Sequence, residues 1–157
     1  MITIIVAVSK NNCIGKDGKM PWHLPEEMKH FKRNTIHKKV VVGRKTFEGF
    51  KKPLVDRIHY VVTRQDLECK YENVVVVHDV QDLIQQYKNS EEELMIIGGR
   101  QIYSMFMNVA DKLIISVLHE EFEGDTYFPE FDRNQFEINK IEHYQEFDVV
   151  TWIRKEN

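Results

Sequence analysis

Apolar positions in this chain fall into short β-branched runs, most of them closed by a turn and followed by a segment with helical spacing. Strands are predicted over 2–8, 40–43, 58–63, 74–77, 94–97, 112–119, 136–143 and 149–154. Helices are predicted over 24–33, 46–50, 80–87 and 101–107, and Pro25 sits in the first turn of the first, where its missing N–H is harmless. The early strands are unbroken apolar runs, as in Val40-Val41-Val42 and Leu94-Met95-Ile96-Ile97, which suits central strands covered on both faces. Their alternation with helices argues for parallel pairing through crossovers, and the helix-free last third argues for antiparallel pairing. The expected architecture is α/β. It has a mixed, mostly parallel central sheet of about eight strands flanked by about four helices, in one domain over 1–157.

Composition narrows the class without naming it. Of 157 residues, 42% are hydrophobic and 30% charged, ordinary for a globular chain. At this length a fold buries about 68–70% of its unfolded surface, so a core needs no disulfide or metal to hold it. Lys and Arg number 22 against 25 Asp and Glu, and the net charge of −3 speaks against a general nucleic-acid binder. No apolar run approaches the ~18 residues of a membrane span. The first strand runs straight into Ser9-Lys10-Asn11-Asn12 with no basic segment before it, so it does not read as a signal peptide. Cys13 and Cys69 make neither a disulfide framework nor a zinc site, and the seven histidines lack metal-ligand spacing, so no metal is expected. A cytoplasmic address is the default, and with no oligomer signal a monomer is expected.

Candidate chemistry begins with Glu26 and Glu27, side by side at the start of the first predicted helix. Two exposed acids favouring the positive helix end would be ordinary there. At about 100° per residue, however, Leu24, Met28 and Phe31 form an apolar stripe, with Glu27 three after Leu24 and four before Phe31. Glu26 falls opposite, with Lys29, His30 and Arg33. Glu27 is thus the acid expected among apolar neighbours, Trp22 included. Desolvation there raises a carboxyl's pKa and lets it hold or relay a proton near neutrality; alternatively it stays ionised and pairs with a cationic, amidine-like ligand edge. Either use suits a heterocycle that must be recognised and protonated.

Gly43-Arg44-Lys45-Thr46 follows a strand and opens a helix, and Gly98-Gly99-Arg100-Gln101 repeats the arrangement. Thr63-Arg64-Gln65 closes another strand. Each is either a plain surface turn or an anion site. Together, at strand carboxyl ends, they resemble the footprint of an extended, multiply phosphorylated ligand such as a dinucleotide. None matches a Rossmann fingerprint or a P-loop, and no G-x-S-x-G or local Cys–His pattern supports covalent hydrolysis.

Five blocks occur in order: Met20-Pro21-Trp22-His23-Leu24-Pro25-Glu26-Glu27, Gly43-Arg44-Lys45-Thr46-Phe47-Glu48, Pro53-Leu54 with Arg57, Ile97-Gly98-Gly99, and Glu123-Gly124-Asp125-Thr126-Tyr127-Phe128-Pro129. They resemble the dihydrofolate reductase family, in its order and with its spacings, and the remaining strands suit the family's end. The resemblance implies that fold, with NADPH-dependent reduction of 7,8-dihydrofolate to tetrahydrofolate in one-carbon metabolism. Hydride would pass to pterin C6 with N5 protonated. Glu27 would bind the pterin's 2-amino and N3 edge and promote protonation through water near Trp22.

The same resemblance distributes the rest of the site. Ile5 and Ile97 would offer backbone carbonyls at the pterin edge. Met28, Phe31, Leu54 and Tyr103 would line the pocket, with Phe50 at its rim and Ser116 hydrogen-bonding behind Glu27. Arg57 would grip the α-carboxylate of the glutamyl tail, assisted by Lys32 and Lys52. Ala7, Ile14 and Met20 would contact the nicotinamide end, and residues 13–20, with Gly15, Gly18 and Lys19, would form a lid to which Asp125 hydrogen-bonds. Gly43, Arg44, Lys45, Thr46, Thr63 and Arg64 would hold the phosphates or the adenosine side. Gly98, Gly99, Arg100, Gln101 and Ile102 would close on the diphosphate, and His78 would lie near adenine. Dihydrofolate is the implied substrate, antifolates are implied inhibitors, and neither nucleic acid nor membrane is required.

Departures from the family pattern touch specificity more than the reaction. Gly49-Phe50-Lys51-Lys52 replaces a more usual Ser-Ile-Gly-Arg, and Val55 stands where proline is common. Arg100-Gln101 replaces Gly-Arg, removing the usual arginine near the cofactor's 2′-phosphate and leaving Arg64 and Arg100 to compensate. Ser116 for threonine keeps the hydroxyl.

Overall fold

The first strand, β1 (Ile2–Val8), divides its side chains between two apolar layers. Ile2, Ile4, Val6 and Val8 point into one and Ile5 into the other, as the two-residue repeat of a strand requires. The computed structural model describes residues 1–68 and 70–156, so Cys69, counted above, lies outside the described residues. Along the chain follow β2 (Cys13–Gly15), α1 (Pro25–Thr35), β3 (Lys39–Gly43), α2 (Arg44–Glu48), β4 (Ile58–Val62) and β5 (Val74–Val77). Then come α3 (Val80–Tyr87), β6 (Leu94–Gly98), α4 (Arg100–Met107), β7 (Lys112–Leu118), β8 (Thr126–Tyr127), β9 (Phe136–His143) and β10 (Phe147–Arg154).

Eight strands form one sheet in the order β5-β4-β3-β6-β1-β7-β10-β9. Every pairing from β5 to β7 is parallel, whereas β10 runs antiparallel to both β7 and β9. The mixed, mostly parallel sheet with four helices is the one expected from the sequence. Val40, Val41, Val42, Leu94, Met95 and Ile96 are fully buried, consistent with central strands roofed on both sides. One roof combines Leu83 and Tyr87 of α3 with Ile102 and Phe106 of α4. The other gathers Trp22, Phe31, Phe47, Phe50 and Leu54 over Val40, Val42, Met95 and Ile97. Among the described residues no helix is long and apolar enough to cross a membrane.

The two-stranded β2–β8 ladder was not expected, because elements of three and two residues carry no periodic signal. Helix α2 starts at Arg44, directly on the end of β3, two residues before its predicted start.

Helix α1 corrects the predicted stripe. Its buried positions are Glu27, His30 and Thr35, with Phe31 and Asn34 half-buried, a helical i, i+3, i+4, i+7, i+8 set composed mostly of polar residues. Met28 is instead 48% exposed, and His30, placed among the solvent-facing residues by apolar spacing, is only 4% exposed. A helix that borders clefts can bury polar side chains on its inner face, so counting apolar letters located the acid correctly but rotated the rest of the stripe.

Because β1, β3, β4 and β6 are parallel, their carboxyl ends at Val8, Gly43, Val62 and Gly98 share one edge of the sheet. Close approach there depends on glycine. Gly98 has φ +125°, and a Cβ on it would lie 3.3 Å from the Tyr103 hydroxyl; a Cβ on Gly99 would lie 3.2 Å from Thr46 Oγ1. The Gly98–Gly99 peptide is cis.

Candidate active site

The site is built where α1 crosses the carboxyl edge of the sheet. Glu27, in the first turn of α1, is 6% exposed, and no hydrogen bond or ion pair reaches its carboxylate among the described residues. Burial alone pushes its pKa up to about 7. Tyr103 of α4 is fully enclosed nearby. Burial, and after it the charge on Glu27, push the phenol's pKa up, and its hydroxyl donates to the Ile5 carbonyl at 2.9 Å. Glu27, Tyr103 and the β1 backbone at Ile5 therefore form one cluster. Trp22 packs its ring 5.4 Å from Phe122 at a 56° tilt, and its buried indole Nε1 has no partner. A buried carboxyl without a donor and a buried N–H without an acceptor are both uncommon, and both occur here.

Neutral hydrogen bonds fix the opposite wall. His59 is fully buried; its Nε2 accepts from the Leu54 N–H at 3.0 Å, and its Nδ1 lies 3.3 Å from the Asn73 carbonyl. Desolvation lowers its pKa, which suits the neutral ring that this acceptor role requires. Asn73 in turn donates from Nδ2 to the Arg57 carbonyl at 3.0 Å, so residues 54–57 are pinned beside the pocket. Arg57 is 7% exposed and spends Nε on the Val55 carbonyl and Nη1 on Thr35 Oγ1 at 3.0 Å. Burial lowers its pKa, with Asp56 opposing, but an arginine remains charged. Phe31, Phe50, Leu54 and Ile97 belong to the same apolar layer.

Not every expected contact forms. Ser116 is buried on β7, opposite Ala7 and Val149, yet no hydrogen bond joins its hydroxyl to Glu27 among the described residues. Lys32 and Lys52 are exposed. Residues missed by the sequence reading are Thr35, His59 and Asn73, which hold Leu54 and Arg57 in place. Only a buried His and a mid-helix Thr marked them, and neither is distinctive.

Along the edge, the basic turns do meet. Arg44 Nη1 donates to Gln65 at 3.1 Å, the Thr63 carbonyl lies 2.7 Å from His78 Nδ1, and Thr46 Oγ1 abuts Gly99. Ile102 is buried behind them, while Lys45, Arg64 and Gln101 are exposed. Arg100 reaches away from this group and donates to the Tyr127 carbonyl at 2.7 Å.

Residues 16–19 form a tight hairpin. Lys16 and Lys19 exchange backbone hydrogen bonds of 2.7 and 3.0 Å, with Asp17 and Gly18 at φ +52° and +78° between them. Asp-Gly is a strong short-range hairpin signal. Asp125 holds this hairpin from the β8 side, as expected. Its N–H donates to the Gly15 carbonyl, and its carboxylate accepts from the Asp17 N–H at 3.0 Å, which with Thr126 keeps it below the usual carboxylate range. Ile14 packs against one apolar layer and Ala7, near the end of β1, against the other, while Lys19 and Met20 face solvent.

A buried acid on a helix, facing a sheet whose parallel strand ends carry basic turns, defines an α/β enzyme that works on a heterocycle beside a nucleotide. Residues 1–152 match the family model described as dihydrofolate reductase. The chain is 38% identical to the dihydrofolate reductase of Bacillus subtilis, covering 88% of this chain and 81% of that one. It is 37% identical to that of Haemophilus influenzae, covering 93% and 89%. The solved structure of dihydrofolate reductase from Enterococcus faecalis, complexed with NADP(H) and RAB-propyl, superposes with a TM-score of 0.88 at 35% identity, covering 99% of this chain and 97% of that one. The chain belongs to the dihydrofolate reductase family, and its activity is NADPH-dependent reduction of dihydrofolate.

The high Glu27 pKa has a consequence for stability. Between the unfolded value of 4.5 and the folded value of about 7, the folded chain holds a proton that the unfolded chain releases, so stability falls as pH rises through this window. The full loss, reached above the folded pKa, is about 3 kcal/mol at 1.36 kcal/mol per unit. Glu27→Gln removes it. In urea titrations the ligand-free variant is expected to match wild type near pH 4.5 and to exceed it increasingly up to about pH 7 and beyond; a pH-independent difference would contradict the assignment.

Proposed function

We propose that Glu27 and Trp22 carry the chemistry of this reductase and that Arg57 sets its preference for a folate with its glutamyl tail. The observation that supports this most is the buried, unpartnered Glu27 carboxyl with a pKa of about 7. At neutral pH such a group is present in both protonation states, the condition for accepting and passing on a proton efficiently. Ionised, it accepts from the 2-amino and N3 edge of the pterin. Protonated, it supplies the proton that reaches N5 through water held at the Trp22 indole N–H, which makes the N5=C6 bond a better hydride acceptor.

Phe31, Leu54 and Ile97 give the pterin an apolar slot, and the Ile5 carbonyl, already accepting from Tyr103, has a second lone pair for the ring edge. Met28 and Phe50 form the outer wall of the same slot. Arg57, with Nε and Nη1 committed to the chain, presents Nη2 to the tail carboxylate, while Lys32 and Lys52 add positive potential from solvent. Ser116 supports the Glu27 side of the pocket from β7.

The cofactor fits the carboxyl edge of the sheet, where Gly98 and Gly99 leave no side chain between the backbone and Thr46 or Tyr103. NADPH supplies the hydride from its nicotinamide C4. Gly43, Thr46 and residues 98–102 would face its diphosphate. Arg44, Lys45, Thr63, Arg64 and His78 would face the adenosine side. Ala7, Ile14, Gly15, Gly18, Lys19 and Met20 would cover the nicotinamide, excluding water while the lid is shut. With Arg100 engaged by Tyr127, Arg64 is the cation we assign to the 2′-phosphate. Every residue invoked lies within 1–157 of one chain, so the proposed site needs no contribution from a second subunit, and its need for reduced cofactor is consistent with the cytoplasm.

With dihydrofolate and NADPH, Glu27→Gln is expected to slow steady-state turnover by about 10²–10⁴-fold, the range of general acid–base catalysis, with NADPH affinity near wild type. An equal collapse of cofactor affinity would make Glu27 structural. Arg57→Ala is expected to raise the KM for dihydrofolate about 10–100-fold, the value of a charged hydrogen bond, and to spare a dihydropterin that lacks the tail. Equal losses for both substrates would refute the tail contact.

A further inference from the structure

Helix α1 borders a second cleft, to which none of the residues assigned above to folate or cofactor contributes. It has a volume of about 290 Å³ and lies between α1 and strands β7, β9 and β10. His30 lines it. This side chain is 4% exposed, and its Nδ1 is buried without a hydrogen-bond partner. The ring is held edge-on by Tyr144 and Phe147, at centroid distances of 6.2 and 6.4 Å, and those two rings stack 4.6 Å apart. Its backbone is fixed as well, because Asn34 Nδ2 donates to the His30 carbonyl at 2.8 Å. A histidine this well positioned has a polar atom that protein contacts leave unsatisfied, in a chain whose other buried imidazole, His59, is fully engaged.

The charges around it have one dominant sign. Arg33 from α1, Lys112 from β7 and Lys140 from β9 line the cleft, against a single carboxylate, Glu142, which lies 3.4 Å from Lys140. Arg33 Nη2 touches the Tyr144 hydroxyl at 3.4 Å, and the nearest carboxylate contact of Lys112 is Glu93 at 3.9 Å, a loose pairing. The excess is positive in a chain of net charge −3. Burial, then Arg33, lower the His30 pKa, with Glu142 opposing and Lys140 adding to the fall, so all three charged side chains are felt at the ring. A neutral imidazole has one N–H donor, and the cations offer several more.

We propose that this cleft binds a small phosphate-type oxyanion, with the His30 imidazole, Arg33 and Lys140 donating to it and Thr151 and Asn139 completing a polar lining. A phosphate group suits this lining better than an apolar ligand, because several cations beside an imidazole favour charge-assisted bonds.

The test uses enzyme saturated with NADP⁺ and folate, so that the phosphate and carboxylate subsites of the main cleft are filled. Imidazole nitrogen shifts are followed by NMR at fixed pH while inorganic phosphate is added, with the His30 signal assigned by its loss in His30→Phe. A saturable shift of the His30 signal at millimolar phosphate is expected, with no such shift in potassium chloride of equal ionic strength. An Arg33→Ala, Lys140→Ala double variant is expected to raise the half-saturating concentration at least about tenfold, the worth of one lost charged contact, while kcat stays at the wild-type value. A shift that chloride reproduces, one that does not saturate, or a double variant that titrates like wild type would overturn the proposal.

Discussion

Burying a carboxyl group without a partner is the constraint around which this molecule is arranged. In water Glu27 would ionise near pH 4.5; between α1 and the sheet it holds its proton to about pH 7. The cost is a site that is less stable in neutral solution than one with a neutral side chain there, and the return is an acid with the right affinity for a proton. Evolution usually satisfies buried polar groups internally, and a group left open in this way marks a place where a ligand completes the structure. The parallel strands on either side make this possible. They are buried on both faces and need no polar contribution from α1, so its inner face is available for chemistry.

Rigidity around the acid comes from hydrogen bonds that set no cation against Glu27. Tyr103 ties α4 to β1 at Ile5, His59 and Asn73 pin residues 54–57, and Thr35 holds Arg57 while donating its own hydroxyl proton to the Phe31 carbonyl at 2.8 Å. Placing neutral donors and acceptors here keeps the field at Glu27 free of a compensating cation, which would pull its pKa back toward the ordinary range. The 16–19 hairpin is built differently. It depends on backbone bonds and one exposed carboxylate, Asp125.

Much of this was legible in the sequence. Runs such as 40–42 and 94–97 read as central strands because nothing polar interrupts them, and the helix-free end read as antiparallel. Glu27 could be told from Glu26 by spacing alone. What spacing could not supply was the true inner face of α1, since that face is made of Glu27, His30, Asn34 and Thr35, and polar letters are normally counted as outside. The short β2–β8 ladder and the His59–Asn73 support escaped for a related reason: they are tertiary pairings, without local periodicity. Order and spacing of the five blocks carried the family resemblance where composition, with its net charge of −3, carried only exclusions.

The central claim is that Glu27 titrates near neutrality because it is buried and unpartnered. Carbon-13 NMR of the labelled glutamate side chains in the ligand-free enzyme, with Glu27 identified by its absence in Glu27→Gln, measures that titration directly. The account predicts a midpoint of about 7 for this one carboxyl. A midpoint at the ordinary 4.5 would contradict it and remove the physical basis for the proton role assigned to Glu27.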